Sequence, residues 1–155
     1  MSTNKPVSTT KSIVGRPRSE ATRRQILDAT SRLLQEKSIQ AISIEAIARE
    51  AGVSKSTIYR WWDSKALVVI DAFIENQMLK TALPRELGPR EAIAQHFRSL
   101  VDQYSGWAGR LVAQILAEGQ SDPSTLRDFR ERFHYGRRAI IRETLEEWRV
   151  SGEIS

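Results

Sequence analysis

Between Ser54 and Trp62 the chain reads SKSTIYRWW, a stretch of hydroxyls, cations and aromatics without a carboxylate. Wound as a helix with Ile58 inward, it turns Ser56, Thr57, Tyr59 and Arg60 away from the core, with Lys55 and Trp61 flanking them. A surface of hydroxyls and positive charge with no acid suits a groove lined by phosphates. The spacing predicts a helix of 8–9 residues, about 12–14 Å long, which fits a major groove about 12 Å wide.

Such a helix needs a second one to hold it. The preceding stretch, Ser43 to Val53, supplies it: Ser43 is placed to cap a short helix whose inward residues are Ile44, Ile47, Ala48 and Ala51. Gly52 then carries the backbone through a turn where a side chain would cost energy. Ala48 is small enough for a crossing helix, and Val53 and Ile58 plug the space between the two. This pattern is a helix-turn-helix; an αα-hairpin used only for packing is the blander alternative. Ala-x-x-x-Gly alone is a weak signal, and its conjunction with the acid-free face and a basic N-terminus favours DNA.

The remaining elements are read from periodicity and punctuation. Residues 1–15, rich in Ser, Thr and Lys, read as a disordered basic arm. Ser19 is expected to cap a first helix running to about Ser38, with Ile26, Leu27, Thr30, Leu33 and Leu34 on one face. Asp63 is expected to cap an apolar fourth helix that fades by Leu83. Pro89 suits the first position of a fifth helix, whose stripe is Ile93, Phe97, Leu100, Val101 and Tyr104. Gly106 to Gly109 reads as a loop or kink, followed by a sixth helix marked by Leu111, Val112, Ile115 and Leu116. Asp122-Pro123 opens a long last helix that stops at Ser151-Gly152. The fold class is therefore all-α: a three-helix DNA-binding unit at 16–65 joined by a fourth helix to a helical regulatory unit at 66–155.

Composition is consistent with this and excludes other classes. With 155 residues, no Cys and two His, the chain has no disulfides or thiolate chemistry, and a metal centre is not expected. The longest apolar run, Ala66 to Ile70, is too short to span a bilayer. Residues 1–65 hold 12 basic side chains against 6 acidic, whereas residues 66–155 hold 12 against 13. That asymmetry points the first half toward nucleic acid. The sequence has no HExxH, no phosphate-binding Gly-rich loop and no nucleophile–base pair at a Gly turn, so an enzyme is not expected and no cofactor is called for.

The segments RQILDA and SIEAIAREAGVSKSTIYRWWDSKALV, with GRPR before them, resemble the TetR family of transcriptional regulators over about residues 16–75. GRLVAQILAEGQSDPSTLRDFRERF is similar to the sensing half of one TetR subgroup. The resemblance implies a homodimeric, ligand-responsive repressor acting on double-stranded DNA in the cytoplasm, away from any membrane. Carried over position by position, Lys55, Ser56, Thr57 and Arg60 read bases and backbone, and Tyr59 and Lys65 grip phosphate. Ser43 stands where the family usually has Thr and serves phosphate at a helix start. Arg16 and Arg18 match an arm that reaches the minor groove. Trp62 matches an aromatic packing position; Trp61 either covers apolar surface or stacks near sugar-phosphate.

For the small-molecule effector, a mostly apolar pocket would draw on Phe97, Tyr104, Trp107, Gln114, Phe129 and Phe133, with His96 or His134 as further candidates. Family members continue past the equivalent of Gly152-Glu153-Ile154 with two more helices that supply most of the dimer interface. The resemblance therefore implies a shortened interface, with Phe133, Ile140, Ile141 and Trp148 of the last helix as candidates for pairing. The alternative is a regulator that acts as a monomer or modulates a longer relative.

Overall fold

The computed structural model describes residues 16–78 and 83–154. Among them there are eight α-helices and no strand. In chain order these are α1 (Arg16–Glu36), α2 (Ile44–Ala51), α3 (Lys55–Tyr59), α4 (Lys65–Met78), α5 (Pro89–Tyr104), α6 (Trp107–Ser121), α7 (Pro123–Phe129) and α8 (Tyr135–Ser151). A π-helical segment, Arg130–His134, joins α7 to α8 through helical backbone at both junctions. No helix among the described residues is long and apolar enough to cross a membrane.

The local signals explain most boundaries. Ser43 Oγ accepts the Ala46 N–H at 3.2 Å and starts α2. Gly52 ends it in the left-handed region, φ +65, where a side chain would be strained. Asp122 accepts the Ser124 N–H at 3.0 Å, and Pro123 occupies the first turn of α7. Gly152, φ +80, closes α8.

Four expectations are corrected. α1 starts at Arg16, ahead of Ser19, so Arg16 and Arg18 lie on helical backbone rather than in an extended arm. The arm at 1–15 is outside the described residues, as are the side chains of Arg16 and Arg18. The cap of α4 is Ser64, whose Oγ accepts the Leu67 N–H at 3.2 Å; Asp63 is one residue too early. Gly106 to Gly109 is not a loop, because α6 begins at Trp107. Gly109 is required for another reason: a Cβ there would lie 1.9 Å from the Tyr104 carbonyl oxygen, where the end of α5 meets α6. The apolar stripe of α5 is rotated from the expected one. Ala92 and His96 are its buried residues, and Phe97 and Val101 are 61% and 65% exposed.

One continuous core runs from α1 through α4 into α6 and α7. Ile26, Leu27, Ile39, Ile42, Ile47 and Ile58 are fully buried within the first three helices and their loops, and Val68, Ile70 and Phe73 bring α4 onto them. Phe73 is the shared aromatic, with its ring centroid 5.1 Å from Phe133, 6.4 Å from Phe129 and 6.5 Å from Trp107. A smaller second cluster holds Leu83, Ala92 and Trp148, with Ile93, Ile141 and Leu145 packed against it. Phe133 and Trp148 are thus spent inside the chain, and Ile141 packs beside Trp148. Phe133 and Trp148 are therefore not open to the pairing expected of the last helix, whereas Ile141 stays half-buried; the Ile140 side chain is outside the described residues.

Candidate nucleic-acid interface

The helix-turn-helix is built by backbone closure at Gly52. The Gly52 and Val53 N–H groups donate back to Arg49 and Ala48 carbonyls, at 3.2 and 2.9 Å, and reverse the chain between α2 and α3. Ser54 then caps α3, its Oγ accepting the Thr57 N–H at 3.2 Å. Ile58 faces inward and is fully buried.

α3 is shorter than the sequence predicts. Its five residues rise only about 7–8 Å at the usual ~1.5 Å per residue, and Arg60 and Trp61 continue as a looser turn. Trp62, next along the chain, has a buried ring, and its Nε1–H donates to Asp71 Oδ2 on α4 at 2.8 Å. Asp71 also accepts from Arg132 of the π-helical segment at 2.8 and 2.9 Å, and the Arg23 guanidinium lies 5.9 Å above the Trp62 ring. Trp62 is a packing anchor, while Trp61 is exposed at the surface beside it.

Of the expected reading residues, Lys55, Ser56, Tyr59 and Arg60 are exposed together on the outer side of α3. Thr57 is half-buried and turned toward the cap, its Oγ1 2.8 Å from Ser54 Oγ; Ser56 Oγ is at the same distance. Ser43 is committed to capping α2. Lys65 is engaged elsewhere: its Nζ donates to the Ile39 and Ile42 carbonyls at 2.8 and 3.1 Å. It pins the α1–α2 connection to the start of α4, and two of its three hydrogens are used there.

One residue that the sequence pattern does not point to joins this surface. Glu45, in the first turn of α2, accepts from Lys55 Nζ at 2.9 Å. The Lys55 hydrogen bond is the main reason its carboxyl is held down to about 2, helped by its own backbone N–H, the Lys55 charge and the Ser43 hydroxyl. The same bond raises Lys55 above the ordinary lysine value. Both side chains stay more than half exposed, at 54% for Lys55 and 61% for Glu45.

The six residues expected around an effector do not converge. Phe97 faces outward on α5. Phe129 and Phe133 are stacked 4.9 Å apart inside the core. Trp107 Nε1–H donates to the Leu34 carbonyl, and Gln114 Oε1 accepts the Ile39 N–H, each at 2.8 Å. Trp107 and Gln114 share a recess of about 150 Å³ with Leu34 and Arg110, while Tyr104 packs half-buried against the core. That recess is well below the ~300–1,000 Å³ typical of small-molecule sites. The two hydrogen bonds make α6 a brace on the first three helices.

Residues 26–71 match the family model described as bacterial regulatory proteins, tetR family. An uncharacterized HTH-type transcriptional regulator of Bacillus subtilis (strain 168), YdeS, is 34% identical over 140 residues, covering 90% of this chain and 71% of its own length. Another, Rv1556 of Mycobacterium tuberculosis (strain ATCC 25618 / H37Rv), is 31% identical, covering 84% of this chain and 64% of its own length. Among solved structures, the TetR family transcription regulator SCO0332 superposes with a TM-score of 0.77 at 27% identity, covering 86% of this chain and 74% of that one. The flavonoid-responsive regulator FrrA gives 0.56 at 28% identity, covering 85% and 70%. The helix-turn-helix closed at Gly52, the all-helical frame behind it and these likenesses agree: the chain belongs to the TetR family of DNA-binding transcriptional regulators.

Proposed function

We propose that this regulator is a ligand-responsive repressor that reads operator DNA as a homodimer, with residues 16–65 as the reading unit and residues 66–155 as the regulatory one. The observation that carries the reading is the outer face of α3, where Ser56, Tyr59, Arg60 and Lys55 stand exposed side by side on a helix fixed by Ile58 and Trp62. Two such helices one DNA turn apart match the geometry of paired half-sites, and Arg16 and Arg18, at the start of α1, supply the minor-groove contact that the family resemblance implies. The role is exercised where the chromosome is, in the cytoplasm.

Effector control rests on a difference in affinity between two conformations. A structural neighbour that answers to flavonoids supports such control here. The Trp107–Leu34 and Gln114–Ile39 hydrogen bonds give α6 a direct grip on α1 and the loop after it. A small shift of α6 therefore moves the reading unit with it.

The test is to isolate an operator from a random duplex pool and compare Arg60→Ala with the parent protein. A base-reading Arg is worth about 1–3 kcal/mol of DNA affinity, with no change in thermal melting. Equal affinity of the two proteins refutes this assignment of the reading face.

A further inference from the structure

We propose that Glu45 and Lys55 act as one donor–acceptor unit that reads a G·C base pair in the major groove and keeps the Lys55 ammonium from phosphates. The inference rests on the outer face of α3 meeting DNA, as proposed above, and goes further by assigning a base.

The geometry puts the pair at the right place. Lys55 is the first residue of α3 and Glu45 lies in the first turn of α2, so the ion pair bridges the leading ends of both motif helices. Both groups are solvent-exposed, and an exposed ion pair contributes little to folding. It is therefore free to trade water for a base edge without loss of stability.

The chemistry selects the partner. The Lys55 ammonium has three hydrogens and spends one on Glu45 Oε1, leaving two to donate. Glu45 keeps its second carboxylate oxygen to accept. A G·C pair presents guanine N7 and O6 as acceptors beside the cytosine N4 amino donor. Two donated hydrogens and one accepting oxygen match that edge. An A·T pair offers a single amino group with its acceptors divided across two bases, and a phosphate offers acceptors only. Glu45 repels the phosphate, and the neutral pair releases no counterion on binding. Because Glu45 stays ionised down to about pH 2, the unit keeps this character throughout the neutral range.

The experiment uses the full chain, the selected operator and a scrambled duplex of equal length, from 50 to 200 mM salt. Glu45→Ala, Lys55→Met and the double variant are compared with the parent. Freed from Glu45, Lys55 pairs with a phosphate: Glu45→Ala binds the scrambled duplex more tightly, and its log–log salt slope steepens by about 0.9 per reading head. Its preference for operator over scrambled DNA falls at least about fivefold, the low end for one bidentate base contact. Both effects vanish when Lys55 is already Met, and base-pair scanning of the operator finds a G·C pair whose replacement no longer matters to Glu45→Ala. A Glu45→Ala protein with the parental slope or the parental preference overturns the inference, as does an effect that persists in the Lys55→Met background. If Arg60→Ala also binds like the parent, the α3 face itself is misassigned; if Arg60→Ala weakens binding while Glu45→Ala is silent, only the paired reading fails.

Discussion

The two ends of this molecule are held by different means. Around α1, α2 and α3, six large aliphatic side chains are fully buried, and polar groups at the helix starts are used as caps. Among the described residues around α5 and α8, the buried hydrophobics are Leu83, Ala92 and Trp148, and α5 turns Phe97 and Val101 outward. A base-reading surface needs its side chains placed within a fraction of an ångström, which only a dry, interlocked support provides. A thin core supports low-energy local opening, the property on which conformational switching draws. Rigidity and pliancy are thus assigned to opposite ends of one continuous helical body, and the parts that connect them determine whether either end can influence the other.

Phe73 is the first of those connections, and removing it has the largest expected effect. Its ring packs against Trp107, Phe129 and Phe133 from a position on α4. Phe73→Ala should cost about 3–5 kcal/mol of unfolding free energy, from lost transfer and the cavity left behind, read from the urea midpoint at unchanged m-value. A loss below about 1 kcal/mol would mean that α4 does not share a core with α6 and α7. Gln114→Leu probes the second connection at similar volume. It leaves the Ile39 N–H without its side-chain acceptor and should cost about 1–3 kcal/mol. Faster hydrogen exchange at the Ile39 amide, with Phe73-dependent packing retained, is the specific readout; parental exchange at Ile39 would remove α6 as a brace.

The same comparison separates what the sequence discloses from what it hides. The Ser43 and Ser54 caps, the Gly52 turn, Asp122-Pro123 and the Gly152 stop are all legible because each depends on residues no more than five apart. The buried set of α2 and the inward Ile58 follow from helical periodicity alone. Contacts across longer spans are not legible. Lys65 meets carbonyls 23 and 26 residues earlier, and Glu45 meets Lys55 ten residues on, from one helix of the motif to the other. A helical wheel of α3 treats Lys55 as a free cation, since the acid that engages it belongs to another helix. On α5 the period is right and the phase is wrong: a small Ala92 and a buried His96 face inward in place of Phe97. Side-chain size does not fix which face packs when the supporting core is thin.

That phase shift gives the smallest expected effect and the sharpest control. Phe97 is large and apolar, so hydropathy alone ranks it with Phe73 as a core residue. In the structure it is mostly exposed, and surface substitutions of that kind fall within about 0.5 kcal/mol. Phe97→Ser should therefore leave the urea midpoint and the m-value unchanged, although it removes as many apolar atoms as a core truncation would. What decides the cost is the area already in contact with protein, and for Phe97 that area is small. A measured cost approaching that of Phe73→Ala would place Phe97 under packed side chains in solution. The α5–α8 end would then possess a second core as tight as the first, and the contrast between a rigid and a pliant end would be lost.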